Sequence, residues 1–438
     1  MTTAWRGKER RMAQEPGHSG AAAGDAQGAG GPYRGVAQLM TIDVARDPRP
    51  VFSALRDSGR VQRMDGLSGP AVVATGRAAI DEIFKYPDVY SSAAHAGTLG
   101  NVRPLIPIEY DPPEHRKYRK LINPVFSPAA VERWKEPVTR LVHELIDGFI
   151  DADEIDFARQ FSTPLPSQIF LTLLGLPLED LPTFLRLKDG IVRPSVLLGL
   201  PPNHPDVKAH QRATAQEIYA YYDKVLDERE SGRRDDLLSH LLDVEVDGER
   251  LTRDELLDIC FLFLTAGLDT VSASLETFMA YLAEHPERRA EVVASPDNID
   301  NVIEELLRYE SPVMLVSRFA TTDTELAGCP VHEGEQVYVF IGAANLDEEE
   351  LPDAGEVRFD RAVNRHIAFG GGVHRCLGSH LARLELRIIL REWHARIPHY
   401  QIKPGTRLDL SPGVRSLNSF PMLLGAETSR GGNPCPAN

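Results

Sequence analysis

A chain of 438 residues with 42% hydrophobic content is long enough to bury a large core. Its net charge of -16 excludes general binding to nucleic acid or an anionic membrane, since either needs a basic surface. No apolar run approaches the ~20 residues that cross a bilayer, and the N-terminus lacks the apolar core of a signal peptide, so a soluble, cytoplasmic protein is expected. The four cysteines, Cys260, Cys329, Cys376 and Cys435, lie in unrelated contexts without paired spacing and are read as reduced thiols.

Residues 1–38 are rich in Gly, Ala and charge and are expected to form a flexible tail, followed by one domain over 39–427 and a second flexible tail over 428–438. From Pro50 the apolar residues Val51, Phe52 and Leu55 follow a helical period. Gly59 to Met64 and Ala71 to Ala74 then alternate as a small hairpin. Ser91 to Ile108 carries glycine and proline with few periodic apolar residues and reads as a long loop, the kind of segment that often bears function. In the helix after it, Asp111 can cap and Pro112 or Pro113 can occupy the first turn. His115 and Arg119 are four apart and share one face, which suits a ligand with two carboxylates. Arg116, Lys117 and Lys120 make the same helix a positive cluster on an acidic chain. An apolar helix follows over Phe161 to Leu174, and Arg193 to Pro202 interrupts the pattern between two more.

Thr252-Arg253-Asp254-Glu255 fits a capping box. From Leu256 to Ala283 there is no proline, which predicts one helix spanning ~45 Å. Its middle, Phe261 to Leu268, is apolar on all sides, so the helix is expected to be buried. Gly267, Asp269 and Thr270 stand in that interior. Glycine there costs about 1 kcal/mol against alanine, and a lone buried carboxylate costs more, so these residues call for a functional reason. Further on, Glu305 and Arg308 lie three apart on a helix with an apolar opposite face. Brief strands between Arg318 and Phe340 complete a mostly α chain with a small β region and no internal repeat.

The most distinctive stretch is Phe369-Gly370-Gly371-Gly372-Val373-His374-Arg375-Cys376-Leu377-Gly378, followed by the helical run from Ser379. Three glycines make a loop that can approach a flat ligand closely, and a cysteine at the mouth of a helix is placed to ionise and bind a metal. Zinc held by His374, Cys376 and His380 is an alternative, although structural zinc usually takes two or more cysteines.

The loop resembles the haem-binding motif Phe-x-x-Gly-x-x-x-Cys-x-Gly of the cytochrome P450 superfamily, matched at Phe369, Gly372, Cys376 and Gly378. The resemblance implies the fold of that family, a single domain carrying haem b with Cys376 as axial thiolate. It implies that His115, Arg119, Arg318 and His374 contact the propionates, and that Ala266, Phe369, Gly370 and Gly378 border the porphyrin. Ala266-Gly267-Leu268-Asp269-Thr270 is similar to the family's acid and alcohol pair, and Leu-Asp-Thr-Val looks like the camphor-hydroxylase branch. Gly267 would then leave a groove for O2, Thr270 would hold a proton beside it, and Asp269 would relay protons from solvent. Val271 stands where many relatives have a second threonine. Glu305 and Arg308 resemble the family's Glu-x-x-Arg element, joined by Arg361 in a network bracing the cysteine loop. Leu346 departs from the arginine common at its position.

On this resemblance the chain is a monooxygenase acting on a small hydrophobic substrate, terpenoid-like first, then fatty acid, steroid or polyketide intermediate. Leu262, Thr265, Val313 and Met314 are expected in the pocket, with the 91–108 loop and Val414 to Leu417. Two electrons would come from a separate ferredoxin and its NAD(P)H-dependent reductase, with no fused redox domain, and the enzyme is expected to be a monomer. The donor would dock on Arg116, Lys117 and Lys120 together with Arg375, Arg383 and Arg387. The rivals are a peroxide-driven hydroxylase, against which the retained Asp269 and Thr270 argue, and a haem-based sensor without turnover.

Overall fold

The computed structural model describes residues 33–93, 99–201, 204–246 and 248–425. Packing starts before the expected boundary at 39: Val36 is fully buried, and Gly35 bridges to Asp65. Helix α1 (Arg49–Ser58) buries Val51, Phe52 and Leu55, the residues whose spacing predicts it. The hairpin forms as expected from β1 (Val61–Asp65) and β2 (Pro70–Ala74). Helix α2 (Arg77–Lys85) and the short β3 (Tyr90–Ser91) lead into the long loop. Next come α3 (Glu114–Ile122), α4 (Lys135–Asp147) and β4 (Glu154–Asp156).

A π-helical turn, Ala158–Ser162, and α5 (Pro164–Leu173) together make the expected apolar helix. Helices α6 (Leu181–Val192), α7 (Pro194–Leu198) and α8 (Pro205–Ser231) follow, the proline of each new start ending the pattern before it. The second half contains α9 (Arg253–Gly267), α10 (Thr270–Glu284), α11 (Ile299–Glu310), β5 (Val316–Ala320) and β6 (Gln336–Val339). It ends with α12 (Ser379–Arg396), β7 (Tyr400–Ile402) and β8 (Pro421–Leu424).

Among the described residues, two larger sheets stand beside the helices, with two two-stranded hairpins besides. One has the order β1-β2-β6-β5-β3, and the other β7-β8-β4. The first fixes Arg318, which is paired across the antiparallel β5–β6 ladder with Val337.

Helices α9 and α10 each anchor a different core. Leu256 to Leu264 sit in the cluster with α5, α6 and α8, whereas Val271, Leu275, Phe278 and Met279 sit in the cluster with α11 and α12. The capping box at Thr252 forms as predicted: its hydroxyl accepts from Glu255 N at 3.3 Å, and Glu255 Oε2 accepts from Thr252 N at 2.7 Å.

Two expectations are corrected here. The predicted single helix breaks at Leu268 and Asp269, between α9 and α10. Arg253–Glu284 is also long and apolar enough to cross a membrane by length and composition, with a mean hydropathy of 1.7, although no such run was expected. Its apolar window is 78% buried inside the protein, so the apolarity serves the core.

Candidate active site

The cysteine loop closes on itself through Cys376 N, which donates to Phe369 O at 2.9 Å. Arg383 from α12 lies over the Phe369 ring, 4.4 Å from its centroid. Gly370 and Gly372 have φ of 70° and 61°, which glycine adopts without strain. A side chain at Gly371 would meet the Phe84 ring at 2.6 Å, and one at Gly372 would strike the Phe84 carbonyl. Sequence reasoning assigned these glycines to a flat ligand; the end of α2 requires them as well.

The Cys376 side chain is open to the space beside the loop, although protein atoms crowd round it on the other sides and Ile367 and Ser379 nearby are packed. Burial raises its pKa, opposed by the Gly378 N–H and by Arg119, Arg383 and Arg375. The Gly378 N–H and the three arginines favour the thiolate as expected from a helix mouth, and a bound cation would complete the ionisation that crowding by the protein opposes. Zinc finds no support, since among the described residues no group of three or more His, Cys, Asp or Glu is placed to hold a metal. Cys260 and Cys329 are free thiols, and Cys435 lies outside the described residues.

Across the same interior, Ala266 is exposed although it follows a run of fully packed helix, and Thr265, Gly267 and Thr270 are half-exposed. An exposed alanine in a core helix marks a space beside it. Leu377 packs on the cluster of α9 while Phe369 and Ala382 pack on that of α10, so the cysteine loop and the helix break border one slot between the two cores. The Thr270 hydroxyl donates to Ala266 O at 3.2 Å. Gly267 presents its bare α-carbon to Phe170 of α5, where a Cβ would come within 2.8 Å of the ring. The groove expected at Gly267 is thus filled by Phe170, and the missing side chain serves helix packing.

Asp269 is not the lone carboxylate expected. It is buried and accepts from Lys188 Nζ at 3.1 Å, Arg193 Nη2 at 2.5 Å and Ser416 Oγ at 3.1 Å. Burial would raise its pKa, but Lys188 and Arg193 outweigh it and hold the carboxyl below its usual range. Asp269 stands at the break itself, so the two cations from α6 and the turn after it meet the chain where α9 gives way to α10.

At the slot's edge, the His115 and His374 rings stand 4.2 Å apart between centroids. Both His115 nitrogens and His374 Nε2 are buried without a hydrogen-bond partner. Arg119 Nη1 donates to Arg375 O at 3.0 Å, tying α3 to the cysteine loop. Burial lowers His115 to about 4, with His374 and Arg119 adding repulsion, and burial likewise lowers Arg318 to about 10. The cluster is short of negative charge; its one nearby carboxylate, Asp111, is 3.9 Å from His374. Asp111 does not cap α3 as expected. It accepts from Ser91 Oγ and, at 2.9 Å, from Ser92 N, tying β3 to α3.

The bracing network forms as the resemblance implies. Glu305 accepts from Arg308 at 2.7 Å, Arg361 Nε at 2.9 Å and Asn364 Nδ2 at 2.9 Å. Arg308 also donates to the carbonyls of Asn345, Ala354 and Glu356. Sequence reasoning missed a second brace. Glu304 accepts from Arg383 at 2.6 Å and lies 2.9 Å from His366 Nε2, joining α11 to the cysteine loop and α12. Leu346 packs in the main core, where an arginine would need a partner.

Of the expected pocket residues, Thr265 and Val313 are half-exposed, and Val313 is bridged to Val414. Leu262 is packed in the core of α9, and Met314 is fully buried in the other. The segment is extended, so alternate side chains face opposite ways, and Leu315 rather than Met314 shares the open side with Val313. The expected basic docking face is largely neutralised. Lys117 pairs with Glu249, Arg383 with Glu304 and Arg387 with Asp300, each at 2.6 Å, while Arg116, Lys120 and Arg375 are exposed.

A model of the family described as "Cytochrome P450" matches residues 36–295 and 297–401. The chain belongs to the cytochrome P450 family. It is 36% identical over 313 residues to a probable cytochrome P450 127A1 of Sinorhizobium fredii, covering 71% of this chain and 72% of the relative. It is 32% identical over 368 residues to a steroid C26-monooxygenase of Mycolicibacterium smegmatis, covering 82% and 88%. Among solved structures, the myxobacterial cytochrome P450 CYP267B1 in complex with myristic acid is similar at TM-score 0.80 and 29% identity, covering 89% of this chain and 99% of that one. The protein is accordingly a cytochrome P450 monooxygenase, whose family cofactor is haem b on a cysteine thiolate. The residues present fit that group: an exposed thiol on one wall of the slot, and at its edge orphaned ring nitrogens beside two arginines, as two propionates require.

Proposed function

We propose that this cytochrome P450 inserts one atom of O2 into a small apolar molecule with a terpenoid or steroid skeleton, drawing two electrons from a ferredoxin and its NAD(P)H-dependent reductase. The observation that carries the reading is that the open Cys376 and the open positions Ala266 and Thr270 at the helix break both lie where the two cores meet, which we read as the walls of one slot. The steroid relative supports the substrate class, and the apolar residues beside the slot, Val313 and Leu315, offer no charge to a polar ligand.

In this reading Cys376 would bind the haem iron, and His115, Arg119, Arg318 and His374 would hold the propionates. Bound there, the haem supplies the iron centre at which O2 and electrons react. Thr270 holds a proton at Oγ facing the slot. Asp269 replaces that proton by leaving its cations: clamped between Lys188 and Arg193 it is ionised, and it gains a proton once it turns from them toward solvent. The buried Glu305–Arg308–Arg361 network keeps the cysteine loop in place and takes no part in the chemistry.

To test this, terpenoids, steroids and fatty acids are screened for ligands that shift the haem absorption band, and the best are incubated with ferredoxin, reductase, NAD(P)H and isotopically labelled O2. A product carrying one labelled oxygen is expected. Product formed only with added peroxide, and none with the electron donors, would overturn the reading.

A further inference from the structure

Seven residues beyond Asp269, on the same helix, stands a second fully buried carboxyl group that the proton path leaves unused. Glu276 is 1% exposed, and each of its oxygens has one polar partner: Oε1 accepts from Ser162 Oγ at 2.7 Å, and Oε2 accepts from Leu417 N at 2.6 Å. Ser162 ends the π-helical turn before α5. Leu417 belongs to the loop before β8, and the residue before it, Ser416, is the hydroxyl bonded to Asp269. The residue after it, Asn418, accepts from Arg193 Nη1 at 2.7 Å, and Arg193 itself grips Asp269. Asp269 and Glu276 therefore hold adjacent residues of one loop from positions two helical turns apart.

We propose that Glu276 is a positioning residue for oxygen activation, pinning the 413–418 loop to α10 so that Ser416 and Arg193 stay on Asp269. This rests on the proton-relaying reading of Asp269 above. Among the described residues the loop has no other polar tie to the body of α10: Ser416 bonds Asp269 at its N-cap, and Arg415 bonds Glu310 and the carbonyls of Ala45 and Arg46. A carboxyl group is costly in so dry a place, and a leucine would fill the volume more cheaply. Its two hydrogen bonds are what it contributes.

The position also makes the device sensitive to pH. Burial pushes Glu276 up to about 8, the Ser162 hydroxyl and Leu417 N–H opposing, and of the charged groups facing it Asp269 raises it and Arg193 lowers it. Lys188 enters from α6 through Asp269. Below about 8 the group is neutral and can donate to Ser162 Oγ. Above that pH a second negative charge competes with Asp269 for Arg193. The folded value lies above the ordinary 4.5, so the folded protein holds this proton more tightly than the unfolded chain. Stability conferred by this group falls as pH rises from about 4.5 through about 8 and is constant beyond.

The test compares haem-loaded parent, Glu276→Gln and Glu276→Leu between pH 6 and 9, without added substrate, using a surrogate ferredoxin, its reductase and NAD(P)H. Glutamine mimics the neutral acid, so at pH 7 the peroxide released per NAD(P)H is expected to match the parent. Between pH 7 and 9 the parent's peroxide fraction rises severalfold and that of Glu276→Gln stays level, while Glu276→Leu is high throughout. Thermal denaturation gives a readout independent of turnover: Glu276→Gln gains melting temperature over the parent at pH 9 and not at pH 6. Parallel pH profiles for parent and Glu276→Gln in both measurements would overturn the inference. Peroxide release unaffected by Asp269→Asn would instead defeat the relay reading, leaving the thermal result for Glu276 to stand or fall separately.

Discussion

Thr270 and Asp269 are adjacent in sequence and opposite in surroundings. The threonine is half-exposed to the slot with its hydroxyl resting on the Ala266 carbonyl, and the aspartate is sealed behind it by three donors. Under the proposed function, a proton presented to the slot leaves from Thr270 and is replaced from the Asp269 side. Replacing Thr270 by alanine is expected to leave haem binding intact while product per NAD(P)H falls at least about tenfold and peroxide rises, read by titrating both against oxygen uptake. Undiminished coupling would remove the threonine from the path. The pair itself was legible in the sequence, because polar residues inside an all-apolar helix need a reason. Their partners were not: Lys188, Arg193 and Ser416 lie 76 to 147 positions away, and nothing in local spacing marks a cation that will meet a particular carboxylate. Gly267 shows the reverse, an unusual glycine whose cause is the Phe170 ring on another helix.

At the level of elements, α11 acts through what it holds. Arg308 and Glu305 are each about 1% exposed, and together they tie the helix to Arg361, Asn364 and three carbonyls of the segment leading into the cysteine loop. Removing Arg308 strips the Asn345, Ala354 and Glu356 carbonyls of their donor and leaves Arg361 as the cation on Glu305, so Arg308→Leu should cost about 3–5 kcal/mol in stability and lower haem incorporation, both measurable on purified protein by denaturant titration and haem absorbance. Full haem loading at parental stability would reduce the network to incidental contacts. Elements with local causes were readable: the Thr252 capping box and the hairpin at β1–β2, whereas Arg193 to Pro202, read as an interruption between helices, holds the short α7. The break between α9 and α10 was not, since no proline or glycine pair marks it and the cations that meet Asp269 there come from α6 and the turn beyond. Met314 went astray for a similar reason. Its apolar character suggested the pocket, but strand alternation turns it into the core and gives the slot to its neighbours.

For the molecule as a whole, the net charge of -16 and the pairing of surface cations narrow where a partner can engage. Lys117, Arg383 and Arg387 are already matched by acidic neighbours, so the long-range attraction available to an acidic donor is concentrated at Arg116 and Arg375, beside the cysteine loop. Reversing both to glutamate should raise the KM for ferredoxin severalfold at low ionic strength, an effect that fades with added salt as the charges are screened. A KM unchanged at low salt would place the docking surface elsewhere. The architecture was legible from helical periodicity and the cysteine motif because both are local patterns repeated along the chain. The neutralised face was not, because it depends on which helices end up side by side.

The central claim is that a haem iron is held by the Cys376 sulfur in the slot opposite Thr270. Its most direct test is the absorption spectrum of the dithionite-reduced carbon monoxide complex of the parent and of Cys376→Ser. The parent should show the strongly red-shifted Soret band of a thiolate-ligated haem, and the variant should lose it. A parent band at the position seen for histidine-ligated haem, or an identical red-shifted band in Cys376→Ser, would contradict the account.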